Sequence, residues 1–440
     1  MKTLYAACWG IAGSVLLVAC ARPPAQSSSQ PIVERSIVEH IDEVLAGAVR
    51  RQEVLGVVAM AVDRAGVVYR GARGTADDIL DMPIRTDAIF RIASMTKPIT
   101  SVAAMQLVDR GLVELDTPAA KYLPILQRAL ILQEFDAVRS SYSFRSPETA
   151  VTLRHLLTHT SGFGYWFTSE LTRDFQSQNG SEETIGPLMF EPGTAWLYGT
   201  STDWVGRLVE EVSGQSLEDY FREHIFDPLN MMDTSFNVEP ASWLRTVTIS
   251  RRQLSGALVQ QVRTDPAPVK DFNGGGGLWS TARDYSRFMR MWLNDGVLDG
   301  VRVLSSEAVA LMSANHVGAM NAGEWISTAP DSSNDFQPFT TGTGGWGLGF
   351  LINRDDQPGR RAAGSLGWAE HHYGYMDRYR EMGIATFTLH SFKSRGVVST
   401  VGEQVSVTIP MVVHDAYMAL ASLSSRDNID IKKVAITGWS

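Results

Sequence analysis

Ser94 and Lys97 stand three residues apart in Arg91-Ile92-Ala93-Ser94-Met95-Thr96-Lys97, at the head of a run that predicts a helix from about Ser94 to Arg110. Residues three apart share a helix face, so Ser94 Oγ and Lys97 Nζ can meet. A serine hydroxyl is a weak nucleophile until a base takes its proton. A lysine can be that base when burial or neighbouring cations lower its proton affinity. The helix N-terminus adds backbone N–H groups and positive potential where an oxyanion would develop. Pro98 falls in the first turn, where its missing donor costs little. In a chain with seven lysines, one Ser-x-x-Lys arises by chance about half the time, so the pair draws its meaning from its company.

That company starts at Trp196-Leu197-Tyr198-Gly199-Thr200. A tyrosine with a polar residue two positions on can relay a proton between a serine and a leaving group, although most tyrosines simply pack in a core. Other patterns fail on context. Gly342–Gly347 satisfies G-x-G-x-x-G, but no strand precedes it, and Gly274–Gly277 lacks the Lys-Ser/Thr of a phosphate loop and reads as a tight turn. His155 and His159 have zinc-compatible spacing without a glutamate between them, so a structural pair is expected and no metal. Ala363–Gly367 is a degenerate nucleophile elbow whose upstream segment, Asp355–Arg361, is too polar for the apolar strand an elbow needs.

The runs Gly111–Pro124, Leu156–Gly162, Phe190–Gly214, Ile225–Phe236 and Gly274–Leu304, together with the serine and tyrosine motifs, resemble the serine β-lactamase and penicillin-binding-protein-like superfamily, especially its class C-like carboxylesterase branch. The resemblance spans about residues 35 to 420, in the family's order. It implies an α/β (α+β) fold: an antiparallel-type sheet flanked by helices, with an inserted all-helical domain. It also implies that Ser94 is the nucleophile, Lys97 its base and Tyr198 the second general acid/base. β-Lactamases of this type carry Asn two positions after the tyrosine; here Thr200 stands there, which favours esters over β-lactams. The family's third motif falls on Gly364–His371. One register starts it at Trp368 but puts Glu370 where the glycine belongs, and another keeps Gly367. The second oxyanion donor would then be the backbone N–H of Trp368 or of His371. Tyr165 and Trp166, with Phe167, border the family's active-site mouth, either as an apolar substrate pocket or as packing beneath a long loop. The activity implied is hydrolysis of a small ester or amide through an acyl-serine, with no cofactor. A β-lactamase or D-alanyl-D-alanine carboxypeptidase, and a silent peptidoglycan- or partner-binding protein of the same fold, are the alternatives.

The elements that must position these residues follow from periodicity. Val33–Arg51 has helical spacing, Val54–Asp63 and Val67–Gly71 read as a hairpin, and 112–270 is mostly helix and loop. Asp284–Leu293 reads as helix, Gly347–Ile352 and Gly383–His390 as strands, and Ile409–Leu423 as a last helix. The expected organisation is a sheet domain over 34–110 and 271–424, a helical insertion over 111–270 and a tail over 425–440. The N-terminus adds a Lys2-led apolar run ending Leu17-Val18-Ala19-Cys20, which resembles a bacterial lipoprotein signal over 1–19, with a flexible tether over 20–33. That resemblance implies lipidation at Cys20, attachment to a membrane through the lipid, and a place on the periplasmic side of the outer membrane.

Composition agrees with a catalytic body. The chain has 440 residues, 44% hydrophobic and 20% charged, with net charge −9. An acidic surface argues against nucleic-acid binding, and two cysteines cannot build a disulfide scaffold or a Cys-rich cluster.

Overall fold

The computed structural model describes residues 35–136, 141–179, 185–252, 257–263, 268–329, 333, 335–338, 342–355, 363–369, 372–376, 384–389 and 437–439. Cys20 and its tether, His371, the helix expected at Ile409–Leu423 and most of the 425–440 tail lie outside them.

The chain opens with α1 (Arg35–Arg50) and the hairpin β1 (Gly56–Asp63) and β2 (Val67–Asp77), followed by short strands β3 (Met82–Pro83) and β4 (Ile89–Arg91). The hairpin turns because Asp63 Oδ1 accepts the backbone N–H groups of Ala65 and Gly66 at 2.8 and 2.7 Å. Next come α2 (Thr96–Asp109), the hairpin β5 (Ile131–Asp136) and β6 (Ser141–Arg145), helices α3 (Leu153–Leu157), α4 (Glu170–Asn179), α5 (Ser201–Ser213) and α6 (Leu217–Phe221), and the hairpin β7 (Ser250–Arg252) and β8 (Leu258–Gln260). The stretch between α2 and the later strands is therefore not all helical. In β5/β6 the alternating Tyr142 and Phe144 pack against Phe175 of α4, which gives that hairpin a partner.

The last third contains β9 (Trp279–Thr281), α7 (Ala282–Leu293), the small hairpin β10 (Val297–Leu298) and β11 (Val301–Arg302), and α8 (Ser306–Met312). Strands β12 (Gly344–Trp346), β13 (Leu351–Asn353), β14 (Leu366–Ala369), β15 (His372–Met376), β16 (Ile384–Leu389) and β17 (Thr437–Trp439) follow. They join the opening hairpin in one antiparallel sheet ordered β12-β13-β14-β15-β16-β1-β2-β3, with β17 paired to β1 and β15. Both ends of the chain thus build the same sheet. The strand expected over Gly347–Ile352 is instead a hairpin turn followed by β13, because Gly349 takes φ +92° and Gly347 N–H donates to Phe350 O at 2.7 Å.

All eight residues of β1 are buried. Val58, Met60 and Val62 join the main core, whereas Val57 packs with Val54 against Leu45, Ala48 and Val49 of α1. Alternation still operates, but both faces are covered, so the strand reads as a continuous apolar run. At the centre of the main core runs α2, buried from Thr96 to Leu107.

Candidate active site

Ser94 is delivered by a short, strongly anchored segment. Strand β4 pairs with β9 in register Phe90↔Ser280, and Ile92 N–H donates to Leu278 O at 2.9 Å. Ala93 then takes φ +43°, a left-handed conformation that costs a residue with a Cβ, and a single 3-10 turn over Ala93–Met95 leads into α2. The nucleophile candidate is only 6% exposed.

Two groups converge on its hydroxyl. Lys97 Nζ lies 2.9 Å from Ser94 Oγ, and the Tyr198 hydroxyl donates to the same oxygen at 2.6 Å. Lys97 also donates to Gly275 O at 2.6 Å and to the Tyr165 hydroxyl at 3.2 Å. Its charge sits 4.9 Å from the Tyr198 ring centroid and 5.2 Å from that of Tyr165. Both lysine and tyrosine are 1% exposed. A buried lysine over aromatic faces, hydrogen-bonded to a serine that a phenol also reaches, has the geometry for moving one proton among three heteroatoms.

The turn Gly274–Gly277 carries Gly275 to the lysine. Its approach is possible only without side chains: a Cβ on Gly274 would come within 2.9 Å of Gly206 Cα in α5, and one on Gly275 within 2.5 Å of the Asp203 carboxylate. Thr100 Oγ1 ties the same turn to α2 through Gly274 O at 2.7 Å.

Tyr198 is held from several sides. His159, buried beside it, accepts the Gly199 N–H on Nδ1 at 3.4 Å and packs edge-on or tilted against Trp196, Tyr198 and Trp346. Burial, and after it the Lys97 charge, push His159 well below the usual histidine range, so this ring is neutral. His155 turns to its own helix start, where its Nδ1 accepts the Thr152 N–H at 3.3 Å. The two histidines serve packing and capping. Among the described residues no group of three His, Cys, Asp or Glu could hold a metal ion.

Trp368, on β14, brings its ring to 6.0 Å from Lys97 Nζ and 5.7 Å from Tyr198. Gly367 is its strand neighbour, paired with Tyr375. Thr200 caps the start of α5 and accepts the Asp203 N–H at 3.0 Å with its carbonyl. Tyr165 stacks on Phe167 at 5.0 Å, while its hydroxyl bridges Lys97 and the Asp203 carboxylate, 3.1 Å away. It therefore belongs to the polar network as well as to the aromatic wall. Trp166 is 42% exposed, and its carbonyl accepts the Thr328 hydroxyl.

Three participants carry no motif of their own: Asp203, the Gly275 carbonyl and Trp325. The last comes from a strap whose described parts are 321–329 and 335–338, where Trp325 and Phe336 exchange both backbone hydrogen bonds. Trp325 stacks on Tyr198 at 4.9 Å and on Phe336 at 4.3 Å. The sequence signals were the tight turn read at Gly274–Gly277 and, for Asp203, its place five residues after Tyr198.

The family model described as Beta-lactamase matches residues 39–396. The acyltransferase calJ of Penicillium decumbens is 32% identical over 373 residues, which cover 74% of this chain and 86% of that protein. The lovastatin esterase of Penicillium rubens is 30% identical over 362 residues, with the same 74% and 86% coverage. The unliganded simvastatin synthase LovD of Aspergillus terreus superposes with a TM-score of 0.72 at 25% identity, covering 89% of this chain and 100% of that one.

Proposed function

The chain belongs to the Beta-lactamase family, and from that premise we propose that it is an exported serine hydrolase opening small carboxylic esters through an acyl-Ser94 intermediate. One observation carries the reading: Ser94 Oγ is within hydrogen-bond reach of both Lys97 Nζ and the Tyr198 hydroxyl, at 2.9 and 2.6 Å. Ser94 Oγ attacks the ester carbonyl carbon as its proton passes to Lys97. The tetrahedral oxyanion rests on the Ser94 N–H and on that of Trp368 or His371. Collapse breaks the bond to the alcohol oxygen, which leaves with a proton relayed through Tyr198. Water then repeats the sequence on the acyl-enzyme and returns Ser94.

Relatives named as esterase and as acyltransferase support ester chemistry, and Thr200 in place of an amide side chain supports esters over β-lactams. A fluorophosphonate probe should label Ser94 and fail on Ser94→Ala. p-Nitrophenyl esters should turn over, whereas a chromogenic cephalosporin should not. Cephalosporin turnover with inert esters overturns the substrate class, and a folded protein that never labels overturns the enzyme reading in favour of a silent binding protein.

The acyltransferase relative favours a second outcome for the same intermediate, capture by an alcohol instead of water. Adding a small alcohol to the ester assay and measuring the new ester against free acid separates the two. Export and anchoring rest on the Cys20 segment: fatty-acid labelling of the intact chain in a bacterial host should vanish in Cys20→Ser.

A further inference from the structure

In its neutral, base-competent form Lys97 has two N–H donors and one lone pair to distribute, and which atom receives the lone pair decides whether it can act as a base. Gly275 O, at 2.6 Å, can only accept and so takes one N–H. Ser94 Oγ and the Tyr165 oxygen can each accept or donate. The ambiguity is resolved one residue further out, at Asp203. Its Oδ2 lies 3.1 Å from the Tyr165 hydroxyl, and an ionised carboxylate has no proton to offer.

We infer that Asp203 orients the Lys97 base: it takes the Tyr165 hydroxyl proton in a hydrogen bond, leaves that oxygen to accept from Lys97, and so turns the lysine's lone pair toward Ser94. The arrangement parallels a base oriented by a third group, with a phenol inserted between base and acid. It rests on the reading of Ser94 and Lys97 as the reacting pair. Asp203 and Tyr165 are positioning residues, since they act on the reacting atoms through Lys97.

An aspartate in the first turn of a helix is common for its favourable interaction with the helix dipole. Here the carboxylate is also boxed in, because a Cβ on the facing Gly275 would fall 2.5 Å from it. Burial raises its carboxyl above the ordinary value, and the Lys97 charge, the Tyr165 hydroxyl and the backbone N–H groups of Asp203 and Gly275 offset only part of that rise. The groups facing it are Lys97 from α2, the Tyr165 phenol, and the backbone of the 273–277 turn. Arg207, one turn along α5, lies over the Trp204 ring at 5.3 Å.

The test compares Asp203→Ala, Asp203→Asn, Asp203→Glu and Tyr165→Phe in the full chain, with p-nitrophenyl butyrate as substrate. Asp203→Ala should lower kcat about 100-fold with KM unchanged. The acidic limb of kcat/KM should move to lower pH, because the anion that favours a proton on its neighbour is gone. Asp203→Asn keeps an acceptor without charge and should fall between, and Asp203→Glu should recover part of the loss. Tyr165→Phe should lower kcat similarly, and combining it with Asp203→Ala should add little. Wild-type kcat and pH profile in Asp203→Ala, or losses that multiply in the double variant, overturn the inference. If Asp203→Ala does not fold, Asp203→Asn with wild-type kcat and pH profile overturns it equally. A wild-type protein that neither labels nor hydrolyses esters overturns the Ser94 reading itself.

Discussion

At the residue scale, the site depends on close approaches that tolerate no extra atom. Gly275→Ala would push a methyl into the Asp203 carboxylate, 2.5 Å away, while shifting the carbonyl that accepts from Lys97. We expect a stability loss of about 1–3 kcal/mol, typical of overpacking, and a drop in kcat well beyond what that loss explains. Urea unfolding and ester turnover on the same sample check both; unchanged kcat would dissociate the turn from catalysis. Lys97→Met should keep the fold while lowering kcat at least 100-fold, and an active variant removes the lysine from the mechanism. Ser94, Lys97 and Tyr198 were legible in the sequence because each sits in a short local motif. Asp203 was not: its partners, Tyr165 and Gly275, are 38 and 72 positions away, and only the packing of α2, α5 and two loops brings them together.

At the scale of elements, the strap carrying Trp325 had no periodicity from which to read it. Its role emerges only from the stack on Tyr198 and from Thr328, whose N–H donates to Phe167 O at 3.0 Å. Trp325→Ala should widen the space beside Tyr198 and raise kcat/KM for branched or long acyl esters relative to acetate esters about tenfold. An unchanged acyl-length profile would make the strap a packing element only. Helices α1 and α7 were foreseen closely because amphipathic spacing is a local signal, whereas the hairpins inside the insertion were missed because short strands leave little pattern. The N-terminus of α7 adds a pH effect. Asp284 accepts the Asp233 N–H and the Thr234 hydroxyl, yet burial pushes its carboxyl up to about 6. A carboxyl raised on folding is a liability above its folded value that is relieved as pH falls. Relative to Asp284→Asn, the wild type should therefore gain stability between pH 7 and pH 5 in denaturant titrations.

At the scale of the molecule, the histidines oppose that trend. Burial holds His155, His159, His224 and His316 below the ordinary value of 6.5. The unfolded chain then binds more protons than the native one once pH drops past about 6.5, so their contribution is complete above that value and declines below it. Thermal or urea unfolding should show stability falling from pH 7.5 to pH 5.5, more steeply in Asp284→Asn than in the wild type. A flat profile in both would mean that these rings are protonated in place. The sheet was foreseen as antiparallel and helix-flanked, but its register and the turn that makes β12 and β13 a hairpin depend on Gly349 and on partners far along the chain.

The same sheet sets a clock for biosynthesis. Strand β1, apolar and buried on both faces, pairs with β16 through Val62↔Ala385 and Asp63↔Ile384. At about 5–20 residues per second, the ribosome exposes β1 roughly 15–65 s before that neighbour exists. For that interval one edge of the nascent hairpin has no strand beside it, so a strand destined for burial on both faces must wait for its shelter.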